Sequence, residues 1–441
     1  MKCIINLDLR TFRMKRVKLP MLLLILLILT GCAPSQAPKP TQIGDGADGS
    51  ETGASTIPGV ASGFLSLSGA AGYTGRVDSG FIRDSYAFSL NLIEQLGDDW
   101  TGAVSPAALS MALQMTMLGA DSEALSAMQT AMCTSLSAED LAKNNAALLN
   151  AFNGILGIRM ANAVILDKQY ALASEFSRRI TDYYSAQTGT FDFSDTEKLV
   201  SVINNWVSDK TNGRIDRLFD SVRRDSVMYL LSAIDFDMKW KIGFDSAKTI
   251  SNAVFYGASG KSDADMMYGS GEYKYAELDE GYIVLIPYEG DEFYMAVMLP
   301  KDENVAPAQF MKKAIYELDK CVPEQANIWL PKLTIQTHLD LYQQLSAMGM
   351  GDALMGGGGS FPGLLSGTDE SVLQIGQIVT ATSMDINEAG TQASGAAGVG
   401  IAKSNMSMTE NNIRCDRPFA VAVIHADSGA ALFMATINDI G

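Results

Sequence analysis

Apolar residues at Phe88, Leu92, Ile93 and Leu96 recur at the three- and four-residue spacing that places them on one face of a helix. A second helix is signalled by "SPAALSMALQMTMLGA": Ser105 can cap it, Pro106 suits its first position and Gly119 can end it. A third pattern, "INNWVSDKTNGRIDRLF" from Ile203, keeps helical spacing until Asn212-Gly213 stops it. The first third to half of the body therefore reads as mainly helical. After Val227 the texture changes to β-branched and aromatic runs bounded by Gly, Pro, Asp and Asn: "VMYLLSAIDF", "YIVLIPYEG", "FYMAVMLP", "ANIWLPKLTIQT", "VLQIGQIVTATSMDI", "PFAVAVIHA" and "AALFMATI". Such runs predict strands. No repeat of fixed period and no clean linker interrupts them, so residues 75–441 read as one large mixed α/β (α+β) domain.

Upstream of this body the pattern fails. From Ala33 to Thr74 the chain is Gly, Ser, Ala, Thr and Pro with few large apolar residues, a composition that cannot build a core and predicts a flexible tether over 32–74. Residues 1–31 carry Lys15, Arg16 and Lys18, then an apolar run from Leu19 to Leu29 that is too short to span a membrane and reads as a secretory signal. Translation from Met14 would put the basic residues in the usual place for such a signal. Its ending, Leu29-Thr30-Gly31-Cys32, resembles a bacterial lipobox, which implies that cleavage leaves Cys32 as a lipidated N-terminus. The folded body would then stand off the bacterial membrane, at the cell surface or outside the cell. A plain signal peptide with a chance cysteine is the alternative.

The 441 residues are 47% hydrophobic and 19% charged, an ordinary globular balance with ample length for a core. The net charge of −17 is dispersed along the chain, which disfavours nucleic acid as a partner because phosphate binding needs a basic face. Apart from Cys3 in the leader and Cys32, the cysteines are Cys133, Cys321 and Cys415. An odd, widely spaced set makes no disulfide framework and predicts buried free thiols. With only His338 and His425 and no CxxC pair, neither a metal site nor a cofactor is expected.

Signs of an enzyme are poor. "MGGGGSF" at Met355 to Phe361 is followed by neither Lys-Ser/Thr nor a helix, so it reads as a connecting loop rather than a phosphate cradle. His425, Asp427 and Ser428 are the residue types of a hydrolase triad, but crowded onto one strand and its turn they cannot adopt that geometry, and no Gly-x-Ser-x-Gly elbow is present. Structural use is expected for them and for His338.

One stretch needs another explanation: "MDINEAGTQASGAAGVGIAKSNMSM", Met384 to Met408, is long, bland and extendable. Loops of that length without function are uncommon. As a strand, Thr391, Ala393, Gly395, Ala397, Val399 and Ile401 would share one face, first small and then apolar, as a buried face requires. Gln392, Ser394, Ala396, Gly398 and Gly400 would share the other, small or polar and suited to solvent. From Thr391 to Ala402 neither Pro nor a charge interrupts a strand that had to enter a sheet.

With its neighbours, this stretch resembles the serpin family. "SPAALSMALQMTMLGA", "ANAVILD", "INNWVSDKTNGRI", "AIDFDMKWKIGFD", "VLIPYEG", "FYMAVMLP", "WLPKL", "NEAGTQASGAA", "DRPFAVAVI" and "ALFMATI" follow one another in the family's order from Asp78 to Ile440. The resemblance implies several helices around three sheets, a kinetically trapped native state and an exposed reactive-centre loop that inserts into the main sheet as an extra strand. It implies a hinge at Glu388, Gly390, Thr391, Ala393, Ser394, Gly395, Ala396 and Ala397, and a sheet-opening region that includes Trp240, Ser105 and Thr380. Family spacing puts the scissile bond at Ser404-Asn405, suited to elastase-like or subtilisin-like proteases. Lys403 would instead suit trypsin-like enzymes and Met406 chymotrypsin-like ones.

The implied activity is suicide inhibition of serine proteases by a monomer with no catalytic residue or cofactor of its own. The alternative is a non-inhibitory member, a binding or structural protein whose loop is merely cut as a substrate. Three positions depart from the family pattern: Thr380 stands for a His, Ser232 for an Asn and Ala435 for a Gly. Gly398 and Gly400 lower strand propensity and would slow insertion.

Overall fold

Nearly every residue of the helix that starts after Ser105 is buried, so this helix lies in the interior and shows no amphipathic stripe. A computed structural model describes residues 64–65 and 75–440, except 352, 354–360, 368–372, 374 and 392–410. These lie in one compact unit, Thr56–Gly441. In chain order its elements begin with β1 (Phe64–Leu65), α1 (Ser79–Leu96), β2 (Gly102–Val104), α2 (Pro106–Met117), α3 (Ser122–Ala131), α4 (Ala138–Phe152), β3 (Ile158–Asp167), α5 (Ser174–Tyr184), β4 (Gln187–Phe191) and α6 (Thr196–Lys210). Then follow β5 (Met228–Phe236), β6 (Met238–Lys239), β7 (Ile250–Gly257), β8 (Gly260–Glu277), β9 (Gly281–Pro287), β10 (Phe293–Pro300), α7 (Pro307–Ala314), β11 (Val322–Pro331), β12 (Leu333–Asp340), α8 (Tyr342–Leu345), β13 (Val379–Ile386), β14 (Gly390–Thr391), β15 (Asn411–Arg414), β16 (Phe419–His425) and β17 (Ala431–Ile437).

The caps explain several of these boundaries. The Asp78 side chain accepts from the backbone N–H groups of Gly80 and Phe81 and starts α1, which buries the expected Phe88, Leu92 and Ile93. Ser105 accepts from Ala108 N, and Pro106 sits at the first turn of α2, as the sequence predicts. Asn212 and Gly213, both with positive φ, turn the chain out of α6.

The strands form three sheets: β1-β4-β3-β5, β12-β13-β14-β6, and a large one ordered β15-β11-β8-β9-β10-β16-β17-β2, with β7 paired to β8. The mixed fold with three sheets stands as expected. The run "ANIWLPKLTIQT" divides at Lys332, with β11 in the large sheet and β12 in a smaller one. Within the stretch read as a tether, Phe64–Leu65 pairs antiparallel with β4, and the Phe64 ring packs against Phe191 and Trp206.

Two apolar cores hold these layers. The main core lies between the large sheet, α1, α2 and the inner faces of both four-stranded sheets. The second seals α6 onto the outer side, where Leu199, Ile203, Trp206 and Val207 meet Ala163, Ile165, Tyr229 and Leu231. Burying each large side chain contributes roughly 1.5–3 kcal/mol.

Cys321 and Cys415 are buried free thiols as expected, whereas Cys133 is half-buried. Burial pushes the Cys321 thiol up to about 12.

Candidate functional site: a strand-wide slot and its hinge

The two four-stranded sheets face each other edge to edge. Among the described residues β5 pairs only with β3, and β13 only with β12 and β14, so no ladder joins β5 to β13. Between them lies a cavity of about 410 Å³ walled by Leu230–Ile234 on one side and Val379–Ser383 on the other. Its floor is α2, through Ser105, Ala108, Leu109, Ala112 and Leu113, with Phe433 beyond. A strand edge carries a row of unpaired N–H and C=O groups, and two such edges across a gap are the template for one further strand.

The top of the slot is already filled. Thr391 pairs with Ile386 of β13 and with Met238 of β6, and Gly390 with Lys239. β14, at the start of the long loop, therefore stands as a strand between β13 and β6, the short strand that follows β5. Gly390 is required there, since a Cβ would meet Met238 O at 2.2 Å and Lys239 Cα at 2.6 Å. Thr391 is buried, its hydroxyl 2.6 Å from Tyr288 Oη. Thr391 itself thus points inward, the face on which the sequence reading placed it.

Trp240 builds the rim. Its ring stacks on Tyr288 at 4.5 Å, its indole N–H donates to Asn387 O at 2.8 Å, and its backbone N–H donates to Ala389 O at 2.9 Å. Glu388 accepts from Thr249 Oγ1 at 2.9 Å and pairs with Lys332 at 3.2 Å. Partial burial pushes the Glu388 carboxyl up, but its backbone hydrogen bond, Thr249 and Lys332 outweigh that and hold it below its ordinary value. The hinge is thus tied to both β12's approach and the β6–β7 connection.

Farther down, the slot is lined by hydroxyls. Ser105 Oγ donates to Leu432 O at 2.8 Å, whereas Ser232 Oγ and Thr382 Oγ1 are buried with no hydrogen-bond partner among the described residues. Thr380 lines the same wall, and Ala435 is fully buried in β17. A buried unpartnered hydroxyl costs about 1–3 kcal/mol. Among the described residues, neither Ser232 Oγ nor Thr382 Oγ1 therefore makes a polar tie across the lower slot.

Several anticipated residues are brought together: Trp240, Glu388, Gly390 and Thr391 at the rim, and Ser105 and Thr380 in the slot. Ala393, Ser394, Gly395, Ala396 and Ala397, the bonds at Lys403, Ser404, Asn405 and Met406, and Cys32 lie outside the described residues. Tyr288, Thr249 and Lys332 were missed, because contacts between residues distant in the chain leave no local periodicity. Asn204 was missed too, although an Asn inside a helix is a poor helix former and so a legible signal.

The outer face of the slot differs from expectation. Leu218, Phe219 and Val222, in the connection from α6 to β5, roof it and share the second core with Leu231 and Ala233 of β5 and Val379 and Ala381 of β13. The loop's outward positions would pass under this roof rather than into water, and their small size suits that passage.

His425, Asp427 and Ser428, for which the sequence predicts structural use, do not assemble a triad. His425 is buried against Phe152 and Phe293 with Nδ1 2.8 Å from Ser428 Oγ, while Asp427 is exposed. Burial lowers the His425 pKa.

A family profile described as "Serpin (serine protease inhibitor)" matches residues 83–440. The chain is 27% identical to Serpin B8 of Bos taurus over 78% of its own length and 96% of that protein. It is 27% identical to human antithrombin-III over 80% of each chain. The native-state crystal structure of the thermophilic serpin tengpin superposes with a TM-score of 0.75 at 26% identity, covering 83% of this chain and 96% of that one.

Proposed function

The chain belongs to the serpin family, whose members are generally inhibitors of serine proteases, and from that premise we propose that it traps such proteases covalently by loop insertion. The observation that carries this reading is the slot. Among the described residues no strand pairs β5 with β13 along the cavity they wall, and Gly390 and Thr391 already stand as a strand at its top.

The steps follow from the geometry. A protease hydroxyl attacks the Ser404 carbonyl, an ester forms, the Ser404-Asn405 peptide bond breaks, and the new amine leaves on Asn405. The freed loop continues the register set by Gly390 and Thr391 and fills the slot. Twelve residues separate Thr391 from Ser404, so the ester travels roughly 40 Å at the ~3.3 Å rise of a strand. The protease is dragged with it, and loss of its oxyanion-hole geometry slows hydrolysis of the ester by ~10²-fold or more. Elastase-like or subtilisin-like enzymes suit Ser404. Lipid on Cys32 would hold the inhibitor, as a monomer, at the bacterial surface.

The test is direct. Mixed with elastase, subtilisin and trypsin, the intact body should give a band on denaturing gels at the summed mass of inhibitor and protease, and mass spectrometry of that band should place the ester. Clean loop cleavage without such a band would make the protein a substrate with a serpin fold. Radiolabelled palmitate should enter the wild type and not C32A.

A further inference from the structure

In the sheet β1-β4-β3-β5, β4 would be the edge strand if β1 were not there. It is a poor strand to leave at an edge. Its five residues, Gln187–Phe191, carry Gly189 at the centre, and a glycine inside a strand offers no side chain to pack. Parallel pairing sets Gln187 beside Ala163 and Gly189 beside Ile165, so Gln187, Gly189 and Phe191 share the face on which Ala163 and Ile165 meet α6. Trp206 of α6 is tied to that face: it is buried, and its indole N–H donates to Gln187 Oε1 at 2.9 Å. At Gly189 the seam between helix and strand has no β4 side chain to close it.

Phe64 supplies one. It stands directly across from Gly189, and Leu65 across from Thr188, as an antiparallel strand. The Phe64 ring lies 5.4 Å from that of Phe191 and 6.4 Å from that of Trp206, centroid to centroid, and packs against the second core. An aromatic ring opposite a strand glycine covers the backbone that the glycine leaves open. Three rings from distant parts of the chain thus meet over one seam. The backbone pairing meanwhile occupies N–H and C=O groups that an edge strand otherwise offers to any passing strand.

We propose that the outer edge of β4, with the cleft between Phe191 and Trp206, is a strand-acceptor site, that its occupant is the chain's own Phe64–Leu65, and that this clasp seats α6 on the sheet. Part of the stretch whose composition reads as a tether therefore belongs to the body. The clasp does not rest on the inhibitor reading, and a chain that captures no protease keeps it.

Hydrogen exchange on the intact chain tests it. The β4 amide that faces β1, at Thr188 or Gly189, should be protected in the wild type. In F64A it should exchange roughly tenfold faster or more, together with the α6 amides around Trp206, while the amides of β16 and β17 keep their wild-type rates. F64Y, whose ring can reoccupy the cleft, should restore the protection. A synthetic peptide of residues 60–69, VASGFLSLSG, should also restore it in F64A when added at millimolar concentration, about the effective concentration of a segment on a short flexible linker. The same peptide with Ala in place of its Phe should not. Mere destabilisation would speed exchange in β16 and β17 as well and would not respond to the peptide. The clasp is overturned by a β4 amide unprotected in the wild type, by F64A rates equal to the wild type, by a loss of protection that spreads evenly to β16 and β17, or by a peptide without effect. If F64A does not fold, F64L, which keeps apolar bulk and loses the ring, is judged by the same criteria.

Discussion

Replacing Ala397 by Arg tests the insertion register at a single atom's depth. Continuing the pairing of Thr391 with Ile386 and Met238 sets Ala397 opposite Thr380 of β13 and Ser232 of β5, on the face that Thr391 shows to be inward. That register turns the side chain toward α2 and Phe433; Asp225, a carboxylate of the slot lining, is exposed and already paired with Arg223. An uncompensated buried charge costs about 3–5 kcal/mol. If half of that is felt while the strand enters, insertion slows by roughly 30-fold, since each 1.36 kcal/mol is tenfold in rate. Ester hydrolysis then wins the race, and A397R should yield cleaved inhibitor and free protease where the wild type yields the covalent band.

The control is Gln392→Arg. The same register sets residue 392 outward, between Asp237 and Asp385. Two carboxylates can receive the new guanidinium, so Q392R should trap as well as the wild type. Both proteins are mixed with the protease at matched ratios and the complex and cleaved bands are quantified. Equal trapping by A397R, or equal failure by Q392R, would refute the register.

Other outcomes follow from single contacts. The Glu388 carboxyl has its folded pKa below its unfolded one, so its contribution to stability is complete above the ordinary carboxylate value and is lost as pH falls through the lower folded value. Thermal melts across that acid range should show E388Q with a flatter pH dependence than the wild type. Asp235 is buried and pairs with Arg214, which D235A would leave to the more exposed Asp237 alone; the loss should be about 2 kcal/mol, read as a melting point lower by roughly 2–3 °C in a body of this size. Ser232→Ala removes a buried hydroxyl with no described partner and should raise the melting point of the uncut protein by about 2 °C.

The parts of the fold that were legible are those whose burial matches a local period. Phe88, Leu92 and Ile93 share a helix face that packs on the core, and "PFAVAVIHA" and "AALFMATI" became β16 and β17, buried on both faces and so continuously apolar. β8 was illegible because "GKSDADMMYGSGEYKYAE" mixes Gly, Lys and Asp through a strand that changes neighbours from β7 and β11 to β9 along its length. The order of motifs, more than any one of them, pointed to the hinge, and the structure sets Thr391 and Trp240 against the same residue there, Tyr288. What the sequence could not show was the roof. Leu218 and Phe219 sit in a segment rich in Asn, Gly, Arg and Asp that reads as a turn, and their burial depends on Asn204, His338 and β13 converging from separate parts of the chain.

The account stands on stored energy: an empty strand position and a loop able to fill it. Calorimetry of the uncut protein beside the same protein nicked after Ser404 measures that energy most directly. On this account, filling the slot with Gln392–Ile401 pairs both edges and buries Val399 and Ile401, and a net gain of ~5 kcal/mol should raise the melting point by roughly 6 °C. Identical melting points for the nicked and uncut forms would contradict it.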